Sequence, residues 1–246
     1  MSAQPGAGDF AEREQVCAAF TEDVLQCGQE AILSVALYGS ALTSDFRPKI
    51  SDYNFVVVAD PIGLVLLQRL AGRMGKWRRK RIAVPLLLAP RTVESSLDSY
   101  PLEFIGMKAA YRMLHGPDFL APLTLEAAHV RLQCERELKS KMLLFRRAFV
   151  ETEGSPKRLQ LLIARGLPTL TAIFRGLLYL KQGPWEADGG AFDAACEAYL
   201  GVPAARMGHL REIRERRSVP GREEIHEEID RMLDMLQRLA LEVERW

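Results

Sequence analysis

Hydrophobic residues in the first third of the chain recur first at helical spacing and then in short continuous runs. Over residues 10–28 they return every three or four positions between Glu and Arg, which predicts an amphipathic helix that ends at Gly28. Residues 31–38 and 53–59 are short and apolar with β-branched side chains, which is typical of buried strands. The polar segment 41–51 between them predicts a turn of helix and a loop.

A second helix and a third strand follow. Asp60 is predicted to cap a helix over residues 62–80, with Pro61 at its first position. Residues 82–89 are again apolar and predict the third strand. Nearly continuous apolar strands separated by a helix indicate a sheet that is covered by helices.

The pattern changes after about residue 124, where strand signals cease. Helical periodicity covers residues 124–153, 156–181, 191–200, 203–217 and 220–246, and residues 182–190 predict a loop. Helices joined by short connections favour an antiparallel bundle. We therefore predict an α/β (α+β) domain with a mixed sheet over residues 1–120, followed by an all-α helical bundle over residues 121–246.

The amino-acid composition limits the kinds of molecule that the chain is expected to bind and where it is expected to act. The chain has 33 Lys and Arg against 32 Asp and Glu, so a large nucleic acid is not the expected partner. Four scattered cysteines without metal-ligand spacing indicate reduced thiols. No signal-peptide pattern opens the chain, and the longest apolar runs, 62–67 and 82–89, are too short to cross a bilayer. We expect a soluble cytoplasmic protein with no membrane partner.

Polar residues gather where the first predicted strand ends and the second begins. Gly39 has no Cβ to keep a ligand phosphate away from the backbone, and Ser40 with the following amides can donate hydrogen bonds to phosphate oxygens. Asp52 and Asn54 are two positions apart, so an extended strand directs both side chains to one face. Their oxygen atoms suit a Mg²⁺ ion shared with nucleotide phosphates. Alternatively, both residues are turn formers that make Asx hydrogen bonds.

The segment LYGSALTSDFRPKISDYNFVVV, residues 37–58, resembles the DNA polymerase β-like nucleotidyltransferase superfamily, which includes the aminoglycoside nucleotidyltransferases. Its members carry Gly-Ser or Gly-Gly after the first strand, Asp-x-Asp or Asp-x-Glu in the next, and a third carboxylate on a later strand. They commonly add a helical substrate or dimerisation bundle. The resemblance implies that Gly39 and Ser40 hold a nucleoside triphosphate, and that Asp52, a catalytic residue, binds Mg²⁺ together with Asn54.

Two positions depart from the family pattern. Asn54 is neutral where the family has a second carboxylate, and the predicted third strand contains no acid. The nearest acid among apolar neighbours is Glu103, for which two interpretations remain. Glu103 is either the general base that accepts a proton from the acceptor hydroxyl, or a first-turn acid in a helix that Pro101 begins and that runs to about residue 114.

Several other polar groups are candidate ligand contacts. The basic run at residues 76–81 surrounds Trp77 and fits either a nucleic-acid edge with a stacking aromatic ring or, as we favour, a solvated helix end. Loop and helix positions form a second group whose members either contact the nucleotide or remain solvated: Asp45, Arg47, Lys108, Arg112 and His115. A third group interrupts an apolar helix and either lines a cleft or accompanies a kink at Pro168: Arg165, Thr169, Thr171 and Arg175.

These patterns lead to one main hypothesis and two alternatives. The main hypothesis is a Mg²⁺-dependent nucleotidyltransferase that moves a nucleoside monophosphate from a nucleoside triphosphate to a small-molecule hydroxyl or a protein side chain. Because Asn54 is neutral, the alternative is a non-catalytic nucleotide-sensing or interaction protein on the same fold. A nucleic-acid binder is the third hypothesis. The amphipathic last helix is expected to complete the bundle, with a homodimer seam as its second interpretation.

Overall fold

The computed structural model describes residues 7–43, 46–47, 51–184, 189–215 and 220–246, which belong to two compact units. The first unit comprises Met1–Leu97, Gly106–Thr124 and Glu186–Gly189. The second comprises Asp98–Ile105, Leu125–Trp185 and Gly190–Trp246. One helix, Pro101–Lys108, begins in the second unit and ends in the first, so the chain passes between the units more than once.

The first unit contains a four-stranded mixed sheet in the order β3-β2-β1-β4. The strands are β1 (Ile32–Tyr38), β2 (Asn54–Ala59), β3 (Leu86–Leu88) and β4 (Tyr111–His115). β1 lies antiparallel to both β2 and β4, whereas β2 and β3 are parallel. A parallel pair requires a crossover connection, and the helix between β2 and β3 provides it. The predicted mixed sheet with helices is confirmed.

The helices of the first unit are α1 (Ala7–Gly28), α2 (Leu64–Arg79) and α3 (Pro90–Ser95). α1 and α2 share one hydrophobic cluster with alternate residues of β1 and β2. At its centre the ring of Phe20 stacks on Phe55, with 3.8 Å between ring centroids, and lies 4.9 Å from the ring of Trp77. The indole N–H of Trp77 donates to buried Asp23, so the large aromatic side chain is buried with its polar atom satisfied.

The second unit is helical. It contains most of α4 (Pro101–Lys108), and then α5 (Ala127–Glu151), α6 (Pro156–Gln182), α7 (Gly189–Leu200), α8 (Ala204–Arg214) and α9 (Arg222–Val243). α5 packs against α6 and α9, and α6 also packs against α8. The apolar face of α9 is buried, so this helix completes the predicted bundle.

α6 is the one helix of the described residues whose length and composition would allow it to cross a bilayer, although only 44% of the relevant stretch is buried. Its buried residues include Leu159, Ile163, Leu170 and Leu177, which fall on one face. That face packs in the bundle beside α5, α8 and α9.

The main departures from the predicted element boundaries are at three places in the chain. α2 begins at Leu64 after Gly63, and Asp60 instead donates its backbone N–H to the carbonyl of Ala31, 2.9 Å away. The third strand shortens to Leu86–Leu88. The helix predicted to reach residue 114 ends at Lys108, because the residues beyond it pair with the open edge of β1 as β4.

All four cysteines are free and buried, as the sequence predicts. Burial raises the pKa of Cys134 to about 12 and is also the main reason why the pKa of Cys196 rises to about 12. These two thiols therefore remain protonated at neutral pH and are poor nucleophiles.

We expect Phe20→Ala to lower the free energy of unfolding by ~3–5 kcal/mol, because it removes a fully buried ring from the centre of the first unit. Chemical denaturation measures this loss. Phe10→Ala on the same helix is the matched control, since the Phe10 side chain is 54% exposed and its removal should cost less than ~0.5 kcal/mol. Equal effects of the two substitutions would contradict this description of the core.

Candidate functional site

A tight turn follows β1 and opens the candidate site. Gly39 begins a short 3₁₀ turn, Gly39–Leu42, and has φ of +82°, a conformation that residues with a Cβ rarely adopt. Its backbone N–H donates to the carbonyl of Ala110 over 2.9 Å. The carbonyl of Ser40 accepts the N–H of Thr43 over 3.1 Å, which closes the turn.

Asp52 and Asn54 project from the same face of the chain at the start of β2. The residues between and after them, Tyr53 and Phe55, are buried in the cluster with α1 and α2. Because side chains alternate along a strand, Asp52 and Asn54 point to the opposite face. The carboxylate of Asp52 is accessible, with 54% of its side chain exposed.

The register of β1 and β2 brings the two parts of the motif together. Tyr38 pairs with Asn54, so Gly39 is the next residue beyond that pair. A Cβ added to Gly39 would lie 3.5 Å from Nδ2 of Asn54, which leaves ordinary contact distance but no spare room. The structure therefore places Gly39, Ser40, Asp52 and Asn54 at one end of the sheet.

Arg81 fixes the segment that carries Asp52. Its guanidinium donates from Nη2 to Oδ1 of Asp52 over 2.9 Å and from Nε to the carbonyl of Ser51 over 3.0 Å. The carbonyl of Arg81 accepts the N–H of Tyr53. The ion pair is well exposed and hence weak, so it orients the carboxylate while leaving it able to exchange partners.

Tyr111 and Asp118 extend this end of the sheet and were missed in the sequence. Tyr111 pairs with Tyr38, which pairs with Asn54, and direct cross-strand partners share a face of the sheet. The hydroxyl of Tyr111 donates to Oδ2 of Asp118 over 2.8 Å. The sequence signal for this contact is limited to the turn composition of Gly116-Pro117-Asp118, because the sequence pattern predicts a helix over Tyr111.

The ionised carboxylate of Asp118 stabilises the loop after β4 by accepting hydrogen bonds from its backbone. Its Oδ1 accepts the backbone N–H groups of Leu120 and Ala121, each over 2.9 Å. Partial burial alone would raise the pKa of Asp118, but the hydrogen bonds from Ala121, Tyr111 and Leu120 outweigh burial and leave the pKa below its ordinary value. Burial raises the pKa of neighbouring Tyr38, so its phenol stays protonated at neutral pH.

The oxygen donors at this site suit a metal ion that also binds substrate phosphates. Mg²⁺ takes oxygen ligands and commonly has one or two carboxylates, with phosphates and water completing its shell. Asp52 offers a carboxylate and Asn54 a carboxamide oxygen. Among the described residues no group of three or more His, Cys, Asp or Glu side chains could hold a metal by itself.

The fold can be compared with a solved structure. The chain is similar to spectinomycin adenyltransferase AAD(9) from Enterococcus faecialis, whose crystal structure contains ATP and spectinomycin. The TM-score is 0.56, and the match covers 91% of this chain and 99% of that chain. This chain has a nucleotidyltransferase-type fold.

At 12% sequence identity this similarity establishes the fold alone. No protein-family model matches the chain, and no curated protein sequence matches it. The roles of individual residues in this nucleotidyltransferase-type fold therefore depend on their geometry. The ligand-binding roles of Gly39, Ser40, Asp52 and Asn54 stay predictions.

Glu103 lies in the first turn of α4, within the second unit. Its Oε2 accepts a hydrogen bond from Nε2 of Gln133 on α5 over 3.2 Å, and Oε1 of Gln133 accepts the N–H of Leu102. Glu103 therefore has the local structure of the second interpretation, an acid in the first turn of a helix. The role of Glu103 as a general base stays a prediction.

Two residues of the segment 76–81 at the end of α2, Lys76 and Trp77, contact buried Asp23 in the first unit. Trp77 is 1% exposed, so the interpretation in which its ring stacks on a nucleic-acid base is wrong. Lys76 pairs with Asp23 over 2.7 Å. Arg78, Arg79 and Lys80 are exposed, as expected of a solvated helix end.

Lys108, Arg112 and His115 do not share a helix face, because only the first of them lies in a helix and the other two lie in β4. Each therefore has its own surroundings. Nζ of Lys108 donates to the carbonyls of Leu120, Ala121 and Leu123 and so supports the loop that contains Asp118. Arg112 pairs with Glu14 on α1 over 2.7 Å, and this hydrogen bond is the main reason that the pKa of Glu14 is lowered. His115 ends β4 and is exposed.

The remaining candidates lie in the loop after β1 and on α6. Asp45 lies outside the described residues, and the backbone N–H of Arg47 donates to the Ser51 hydroxyl over 3.0 Å. α6 continues through Pro168, and the Thr171 hydroxyl donates to the carbonyl of Leu167 one turn earlier. The other polar residues on this helix are Arg165, which is exposed, Thr169, and Arg175, whose guanidinium lies 5.6 Å from the centroid of the Phe192 ring.

We expect Gly39→Ala to lower the free energy of unfolding by ~1–2 kcal/mol, because the new Cβ disfavours the positive φ of this turn. Chemical denaturation measures the change. Gly75→Ala is the control: Gly75 lies within α2 with open space around it, so alanine should stabilise by ~0.5–1 kcal/mol. Effects of the same sign at both positions would contradict the strained turn.

Asp118→Asn should destabilise the protein at neutral pH and make less difference as the pH falls. The folded-state pKa of Asp118 lies below its unfolded value, so the carboxylate contributes fully above the unfolded pKa of about 3.9. This contribution is lost as the pH falls through the folded-state pKa. Denaturation curves for both proteins across pH 7 to 3 test the sign, and a stability difference that grows toward acid pH would refute the assignment.

Proposed function

We propose that the protein is a Mg²⁺-dependent nucleotidyltransferase, which transfers a nucleoside monophosphate from a nucleoside triphosphate to a small-molecule hydroxyl or a protein side chain. The observation that carries the proposal is the convergence of the Gly39 turn with Asp52 and Asn54 at one end of the sheet. The nucleotidyltransferase-type fold supports it, since a neighbour with that fold was crystallised with ATP and a small-molecule acceptor.

Each residue of the site has a proposed role. The backbone of Gly39 and Ser40 faces the triphosphate, and Asp52 with Asn54 holds the Mg²⁺–nucleotide complex. When bound, Mg²⁺ neutralises charge on the phosphates. In the reaction the acceptor oxygen bonds to the α-phosphorus, the bond to the β-phosphate breaks and pyrophosphate leaves. Positioning and charge neutralisation supply most of the rate enhancement in such transfers.

The proton of the acceptor hydroxyl requires a base. We propose Glu103 for this role, because it is an acid with an accessible side chain on α4, the second helix after β3. Its hydrogen bond from Gln133 orients the carboxylate without neutralising it. Glu103→Gln keeps that contact and removes the base, so it should lower kcat and leave nucleotide affinity unchanged.

The acceptor is proposed as a small molecule in the first instance. The near balance of basic and acidic residues argues against a long polyanion, and the AAD(9) structure holds spectinomycin. A protein hydroxyl would undergo the same chemistry. The proposed substrates, a nucleoside triphosphate and such an acceptor, are consistent with a cytoplasmic protein.

The second candidate is a non-catalytic nucleotide-sensing or interaction protein. It is favoured by Asn54, which provides one charge fewer than a carboxylate against a bound cation, and by Arg81, whose guanidinium already pairs with Asp52. Both features weaken the attraction for a divalent ion. Nucleotide would still bind to the Gly39 turn, without transfer.

Isothermal titration of ATP, GTP, CTP and UTP, each with and without Mg²⁺, tests the site. We expect Mg²⁺-dependent binding of at least one nucleotide, and its loss in Asp52→Asn. Asn54→Asp should raise Mg²⁺ affinity by ~10-fold or more, equivalent to ~1.4 kcal/mol, because it restores a second carboxylate. Asp60→Asn at the opposite end of β2 is the matched control and should bind like the wild type.

The outcomes separate the two candidates. Absence of Mg²⁺-dependent nucleotide binding under all conditions rejects the site. Turnover of an acceptor by the wild type, detected as pyrophosphate release, rejects the non-catalytic candidate. Binding without turnover in the wild type, together with turnover in Asn54→Asp, identifies a natural site weakened at residue 54.

A further inference from the structure

Arg81 has an uncommon backbone conformation at the point where the chain leaves α2 and approaches the candidate site. Its φ is +57°, in the left-handed region that glycine, asparagine and aspartate enter more readily than arginine. Backbone strain of this kind persists where the surroundings enforce it, and it is common at functional sites. A glycine would fit this backbone, so the reason for an arginine lies in its side chain.

The backbone of Arg81 is held on both sides. Its N–H donates to the carbonyl of Arg78 in the last turn of α2 over 3.1 Å, and its carbonyl accepts the N–H of Tyr53 over 2.9 Å. Tyr53 and Ile82 are both buried and form a parallel bridge. The guanidinium therefore reaches the start of β2 from a fixed position.

The guanidinium has two separate contacts there. Nη2 donates to Oδ1 of Asp52 over 2.9 Å, whereas Nε donates to the carbonyl of Ser51 over 3.0 Å. The ion pair with Asp52 is exposed on both sides and is therefore weak. The hydrogen bond to Ser51 does not involve the carboxylate, so it can keep Arg81 in place while Nη2 changes partner.

A divalent cation and the guanidinium compete for Asp52. Two positive charges beside one carboxylate repel each other, so Arg81 opposes binding of the ion alone. A triphosphate that shares the ion with Asp52 reverses this effect, because it brings negative oxygen atoms next to the guanidinium. Oxygen ligands in neighbouring positions around Mg²⁺ lie ~3 Å apart. A phosphate oxygen beside Oδ1 of Asp52 would thus be within reach of Nη2 after a small rotation.

We propose that Arg81 is a phosphate-binding residue that couples the metal to the nucleotide. Without substrate it pairs with Asp52 and opposes a metal ion. With the Mg²⁺–triphosphate complex its Nη2 donates to a phosphate oxygen instead, in a charge-assisted hydrogen bond. This inference rests on the proposed nucleotide site and adds to it a residue that makes the site selective for metal bound to a triphosphate over metal alone.

Two probes distinguish this coupling from simple support of Asp52. Mn²⁺ alone reports on the site without nucleotide, because it accepts the oxygen ligands of Mg²⁺ and its free form is counted by electron paramagnetic resonance. Mg²⁺–tripolyphosphate, titrated calorimetrically, reports on phosphate binding without a nucleobase. We expect Arg81→Gln to raise the affinity for Mn²⁺ ~3-fold or more, because a repulsive charge is removed. It should lower the affinity for Mg²⁺–tripolyphosphate ~10-fold or more, because a charge-assisted hydrogen bond is lost.

Two further variants serve as controls. Arg81→Lys keeps the charge and loses the planar guanidinium, so it should bind Mn²⁺ as weakly as the wild type and retain part of the affinity for Mg²⁺–tripolyphosphate. Arg79→Gln removes the same charge from an exposed position on α2, and it should change neither affinity by more than ~2-fold. Circular dichroism confirms that each variant is folded.

Opposite signs for the two probes in Arg81→Gln support the proposal. Weaker binding of both probes means that Arg81 only orients Asp52, and this result overturns the proposal. Binding of Mg²⁺–tripolyphosphate that is lost in Asp52→Asn and kept in Arg81→Gln also overturns it, although the nucleotide site then stands. A wild type that binds neither Mg²⁺–tripolyphosphate nor a nucleoside triphosphate rejects the site itself and the proposal with it.

Discussion

The candidate site depends on one register, the antiparallel pairing of Tyr38 on β1 with Asn54 on β2. Because side chains alternate along a strand, this register buries Tyr53 and Phe55 against α1 and α2 and turns Asp52 and Asn54 to the other face. A slip by one residue would exchange the faces. The stack of Phe55 on Phe20 and the contact of Phe20 with Trp77 make such a slip costly, so the hydrophobic core stabilises the arrangement of the polar groups.

The same end of the sheet is held from both sides by hydrogen bonds to the backbone. Arg81 ties down the segment that carries Asp52, and the carbonyl of Ala110 accepts the N–H of Gly39 at the turn. Lys108 and Asp118 then support the loop beyond β4. These hydrogen bonds fix the backbone on which the candidate site residues lie.

The site provides less negative charge for a divalent cation than the arrangement of its residues suggests. Asp52 is the one carboxylate of the Asp-x-Asn pair, its partner Asn54 is neutral, and Arg81 contributes a positive charge beside Asp52. A divalent ion would therefore depend on substrate phosphates for most of the negative charge around it. This balance explains why one motif is compatible with both a transferase and a nucleotide sensor, and why the charge of residue 54 separates them.

Sequence patterns determined the strongly periodic elements of this protein. α1, β1, β2 and the helices of the bundle follow from local hydrophobic spacing, and the Gly39 turn with Asp52 and Asn54 follows from residue chemistry at the strand ends. Only the tertiary structure decided the segment after Lys108. Arg112 and His115 fall at helical spacing, yet Tyr111–His115 forms β4, because the open edge of β1 supplies backbone partners and Glu14 supplies a partner for Arg112. For the same reason Tyr111 and Asp118 could not be foreseen at the site: pairing between strands distant in sequence leaves no trace in local periodicity.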